Sequence, residues 1–108
     1  MTEVSVQASE LPLGHVLRVE LDGEPIAVAH TAEGVFAIGD TCSHAEVSLA
    51  EGELRDCALE CWMHGASFDL RTGQPLTPPA TTPVPTFNVR VAGSGDETVY
   101  IISAKEAA

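Results

Sequence analysis

Residues 40–69 read DTCSHAEVSLAEGELRDCALECWMHGASFD, and this stretch holds all three cysteines of the chain and two of its four histidines. Within it, Cys42-Ser43-His44 and Cys61-Trp62-Met63-His64 each offer one thiol and one imidazole, with sixteen residues, 45–60, between His44 and Cys61. Ligands this close in sequence can be presented by a single loop. Two such loops can clasp one inorganic centre from opposite sides.

The regular hydrophobic pattern weakens inside this stretch and is clearer on either side of it. Upstream, Val16 to Leu21 places Leu17, Val19 and Leu21 on one face, and Ile26 to Ala29 and Val35 to Ile38 are short apolar runs. Asp22-Gly23 and Ala32-Glu33-Gly34 separate them as reversals. Downstream, Arg71 to Gln74 forms a turn, and Pro75, Pro78, Pro79, Pro83 and Pro85 impose an extended course poor in backbone donors. Phe87, Val89 and Val91 then alternate with Asn88 and Arg90 and lead through Gly93 to Asp96 into Val99–Ile102, a second hairpin. No helical periodicity is sustained anywhere. The pattern predicts an all-β fold, an antiparallel sandwich or barrel with an insertion of loops between Ile38 and Pro85.

A chain of 108 residues fits one domain, 1–108, with its Cys/His-bearing part at roughly 40–85. Sixteen acidic residues against five basic ones give a net charge of −11, which repels nucleic acid and anionic membrane surfaces. No run reaches the roughly 18 apolar residues of a membrane span, and the opening residues lack a basic and apolar leader. The expectation is a cytoplasmic monomer. Asp40, Glu46, Glu51, Glu53, Asp56, Glu60 and Asp69 crowd the Cys/His stretch, opposed there only by Arg55; they are read as a docking face for a cationic partner or a solvated surface.

The two motifs resemble the Rieske family, whose pattern is Cys-x-His followed after fifteen to twenty residues by Cys-x-x-His. Gly65 after the second histidine, Phe68-Asp69, Thr72-Gly73 and the prolines from Pro78 to Pro85 are similar to that family as well. The resemblance implies a Rieske-like β-sandwich with a smaller cluster-binding loop subdomain. It also implies one [2Fe-2S] cluster, with Cys42 and Cys61 on one iron and His44 and His64 on the other. Two ferric ions, two sulfides and two thiolates sum to zero charge, against −2 for an all-thiolate cluster. Reduction is therefore easier, and such centres lie at about −150 to +300 mV. Family members at the high end carry an extra cysteine in each ligand loop. Here those loops hold Ala45, Glu46, Val47 and Met63 instead, and Ala66 and Phe68 stand where hydroxyl donors to the cluster sulfurs would be. A low-potential ferredoxin is implied.

The same resemblance implies an electron carrier rather than an enzyme. Its partners would be a flavin-containing, NAD(P)H-dependent ferredoxin reductase and a terminal oxygenase such as a ring-hydroxylating dioxygenase. Two other readings stay open: a ferredoxin serving another redox or cluster-assembly pathway, and a structural Cys2His2 zinc module on the same four residues. Cys57 is read as a small buried apolar residue. His15 and His30 are read as structural or surface residues, and Trp62 and Met63 as shielding for the cluster or contacts for a partner.

Overall fold

The computed structural model describes residues 3–41, 48–61, 67–76 and 83–104. The strands are β1 (Glu3–Gln7), β2 (Val16–Leu21), β3 (Glu24–Thr31), β4 (Gly34–Gly39), β5 (Glu53–Arg55), β6 (Ala58–Glu60), β7 (Ser67–Asp69), β8 (Thr86–Ala92) and β9 (Val99–Ala104). Three short 3-10 turns, at Ala8–Glu10, Leu49–Glu51 and Gly95–Glu97, are the helical elements among the described residues.

Asp22 and Gly23 reverse the chain between β2 and β3 at φ of 56° and 82°. Positive φ at both central residues is what a two-residue primed turn requires, and its twist matches that of the flanking strands. At the next reversal, between β3 and β4, the Thr31 hydroxyl donates to the Gly34 carbonyl at 2.9 Å and accepts from the Glu33 amide at 3.1 Å. Both reversals fall where the sequence puts them.

These hairpins belong to a six-stranded antiparallel sheet of order β1-β9-β8-β4-β3-β2. Its edge strands β1 and β2 touch, so the sheet curls nearly into a barrel. The side-chain period of two divides β3 between two cores. Ile26 and Val28 face inward with Leu21, Val6, Leu11, Ala37, Tyr100 and Ile102. Ala27 and Ala29 face outward with Ile38, toward a second cluster. Because both faces of β3 are covered, its sequence reads as an unbroken apolar run rather than an alternation.

The covering layer is a three-stranded meander, β5-β6-β7. Leu59 and Phe68 pair across β6 and β7, and both are fully buried with Leu49, Cys57, Cys61, Leu70 and Val84 against the alanines of β3. Each large apolar side chain buried this way contributes about 1.5–3 kcal/mol of transfer free energy. The insertion expected to consist of loops thus contains three strands. At three residues each they are too short for an alternation to be visible in the sequence.

His30 is structural, as expected. Its Nδ1 lies 2.9 Å from the Leu11 carbonyl oxygen, and its ring meets Tyr100 edge-on with centroids 5.9 Å apart. His15 is exposed at the start of β2.

Candidate metal centre

The segment carrying the first Cys/His pair leaves β4 through Asp40, which ties both ends of that segment together. The Asp40 amide donates to the Pro25 carbonyl at 3.1 Å, and its own carbonyl accepts from the Leu49 amide at 2.6 Å. Its carboxylate accepts from the Ala50 amide at 2.8 Å and from Arg18 Nε at 3.2 Å. Thr41 and Ser48 form an antiparallel bridge directly beyond. Thr41 and Ser48, on either side of residues 42–47, are therefore held together.

The second pair begins where β6 ends. Glu60 pairs with Ser67 of β7, which closes the base of the loop between them. Cys61, the first residue of that loop, has no solvent exposure and carries a free thiol. The two bases abut: a Cβ on Gly52, just after the 3-10 turn Leu49–Glu51, would overlap the Glu60 carbonyl oxygen. Leu49 and Cys61 share one apolar cluster.

A third segment approaches the same end. The Leu76 amide donates to the Ser67 carbonyl at 2.7 Å, the Val84 amide to the Gly73 carbonyl at 2.9 Å, and the Gly39 amide to the Pro85 carbonyl at 2.8 Å. The proline-rich stretch is thus fastened at one end to the β7 side and at the other to the end of β4.

Of the four expected ligands, Cys61 is placed by the structure as described. Cys42, His44 and His64 lie outside the described residues, as do Trp62, Met63, Ala45, Glu46, Val47, Gly65, Ala66, Pro78 and Pro79. Accordingly, no group of three metal-binding side chains forms among the described residues. The surroundings of Cys61 suit an iron–sulfur group. Its thiol is buried, has no disulfide partner among the described residues and is set close to the Leu49–Glu51 turn. The Ser48 hydroxyl, at the end of the first loop, is buried and has no hydrogen-bond partner among the described residues.

Cys57 is the small buried residue that the sequence suggests. It lies in the same cluster as Cys61, and burial pushes its thiol pKa up, opposed by a hydrogen bond with Thr31. A thiol kept protonated is a packing group rather than a ligand.

The acidic face is smaller than expected. Asp40 is 2% exposed and belongs to the interior, because its carboxylate caps the Leu49–Glu51 turn and pairs with Arg18. Asp69 pairs with Arg71, and Glu53 and Glu60 flank Arg55. Glu51 and Asp56 are exposed without an ion pair among the described residues. Arg18, 22 positions away in sequence, neutralises the Asp40 carboxylate that looks unopposed along the chain.

The Rieske [2Fe-2S] domain family matches residues 2–88. The chain belongs to that family. It is 43% identical over 86 residues to the ferredoxin component of biphenyl 2,3-dioxygenase from Rhodococcus jostii (strain RHA1), covering 80% of each chain. The ferredoxin of carbazole 1,9a-dioxygenase from Nocardioides aromaticivorans IC177 superposes with a TM-score of 0.86 at 30% identity, over 97% of this chain and all of that one. The complex of reduced oxygenase and oxidized ferredoxin in carbazole 1,9a-dioxygenase matches with a TM-score of 0.83 at 33% identity, over 98% of this chain and 97% of the matched chain.

This Rieske chain carries one [2Fe-2S] cluster, which sets aside the zinc reading of the same donor set. Its relatives are the ferredoxin components of their dioxygenases, electron carriers distinct from the catalytic component. Among the described residues no helix is long and apolar enough to cross a membrane.

Proposed function

We propose that this chain is a one-electron carrier between a flavin-containing, NAD(P)H-dependent reductase and a terminal oxygenase of the ring-hydroxylating class, with Cys42, His44, Cys61 and His64 holding the cluster. The observation that carries the site assignment is the buried free thiol of Cys61 at the junction of two closed loop bases. The oxygenase partner is supported by the relatives, which are named for dioxygenase systems. When bound, the cluster supplies reversible one-electron exchange at a mixed Cys/His centre.

The protein's own part is to hold and shield. Leu49, Leu59 and Phe68 keep water from the Cys61 side, and the Asp40 and Gly52 contacts fix the two loops against each other. With all four iron positions for protein ligands filled, there is no open site for a substrate. We read residues 1–108 as one domain with its cluster-binding part at roughly 40–85, acting as a monomer in the cytoplasm.

The function is tested by reconstitution. Oxygenase product should form from NAD(P)H only when reductase, this protein and oxygenase are all present, and this protein should show a Rieske EPR signal once the reductase has reduced it. Turnover unchanged when this protein is left out would overturn the assignment.

A low potential is also expected, with Phe68 as a test position. Its ring is fully buried between Leu59 and the Pro75 bridge and brings no hydroxyl to this end of the molecule. A hydrogen bond to a charged acceptor is worth about 1.5–3 kcal/mol, so Phe68→Tyr should raise the midpoint potential by up to roughly 100 mV. Protein-film voltammetry of the fully loaded variant reads this directly, and an unchanged potential counts against it.

A further inference from the structure

Asp40 is the one buried carboxylate among the described residues. Its position is unusual for a charge: it is 2% exposed and stands two residues before Cys42 in the sequence. Closing that loop does not require the charge. The backbone of Asp40 bonds Pro25 and Leu49, and the Ala50 amide needs only an oxygen acceptor, which an asparagine would supply equally. A desolvated carboxylate is costly unless a counter-charge meets it.

Arg18 is that counter-charge, and the fold delivers it from a distant part of the sequence. β2 pairs with β3 so that Arg18 stands opposite Ala27, which in turn stands opposite Ile38 of β4. All three therefore share the face on which the three-stranded layer and the Leu49–Glu51 turn sit. The guanidinium reaches Asp40 at 3.2 Å and Glu20 at 3.8 Å, and remains about half exposed. Asp40 is thus compensated by a residue 22 positions away in sequence.

We propose that Arg18 and Asp40 each act electrostatically on the cluster, Arg18 raising and Asp40 lowering its reduction potential, and that their ion pair two residues before Cys42 keeps the two effects in balance. Reduction adds one negative charge to the centre. A neighbouring negative charge opposes it and a positive one favours it, and a poorly solvated interior screens these effects far less than water does. The proposal rests on Cys42 being a ligand.

The experiment measures midpoint potential, iron-to-protein ratio and reduced-state EPR of the loaded protein at pH 8. Arg18→Gln leaves the Asp40 charge uncompensated and should lower the potential, so that at a fixed solution potential the reduced fraction falls severalfold. Asp40→Asn keeps the acceptor for Ala50, leaves the Arg18 charge in place, and should move the potential the opposite way. The double variant should return close to the parent value. Shifts of the same sign in both single variants, as loop loosening would give, or no shift in either, overturn the proposal. If Asp40→Asn does not load, Arg18→Gln alone decides, because its half-exposed side chain can be replaced without opening the core. Cys42→Ser is run in parallel. An unaltered EPR signal there would overturn the ligand assignment itself, independently of the sign of the Arg18 effect.

Discussion

Cys61→Ser should yield protein that retains little or no iron, lacks the reduced-state EPR signal and unfolds at a lower temperature than the parent. Two losses combine. The serine hydroxyl does not replace a thiolate as an iron ligand, and it enters apolar surroundings built from Leu49, Leu59, Phe68 and Leu70, where an unbonded hydroxyl costs about 1–3 kcal/mol. Binding energy that the cluster contributes to the native state is lost with it. Cys57→Ala is the matched comparison, since Cys57 is a free, buried thiol in the same cluster. It should keep its full iron content and spectrum at a cost of about 1 kcal/mol for the small volume lost. The measurement is iron per chain together with EPR and thermal unfolding of both variants. Full iron with an unaltered spectrum in Cys61→Ser, or loss of iron in Cys57→Ala, would reverse the roles assigned to the two thiols.

What the sequence discloses here is mostly local. The Asp22-Gly23 turn, the apolar run of β3 and the alternation before the C-terminal hairpin are each governed by neighbours a few residues apart, and each is found in the structure. The two Cys/His pairs are legible for the same reason, because Cys-x-His and Cys-x-x-His are spacings of two and three residues. Contacts between distant segments leave no comparable trace. β5, β6 and β7 are strands because they pair with one another over an alanine-lined face, not because three residues declare a period. β1 finds β9 at the far end of the chain, with Glu3 opposite Ser103. Asp40 reads as one more surface acid until β2 brings Arg18 to it across 22 positions. Gly52 reads as a loop glycine until Glu60 is seen against it.

That last contact has a consequence of its own for the site. Gly52 has ordinary backbone angles, φ −85° and ψ −160°, so alanine there faces no left-handed strain. The obstacle is steric and made of backbone: the added methyl would overlap the Glu60 carbonyl oxygen and lie 3.2 Å from the Leu49 carbonyl oxygen. A flexible side chain could turn aside, but a strand carbonyl and the end of a 3-10 turn move only if the two loop bases separate. Gly52→Ala should therefore cost about 3 kcal/mol, the upper end of the usual penalty for overpacking. In a domain of this size that lowers the unfolding temperature by roughly 12–24 °C. It should also lower the iron content, because the same displacement pulls Leu49 away from Cys61. Gly14→Ala separates this effect from the general cost of replacing a glycine. Gly14 sits at φ +87° with nothing within 4 Å of an added Cβ, so its penalty is conformational, about 1 kcal/mol, and remote from the ligands. Thermal unfolding and iron content of the two variants side by side provide the check. If Gly52→Ala were as stable as Gly14→Ala and fully loaded, the ligand loops would not be held together by the Gly52–Glu60 approach.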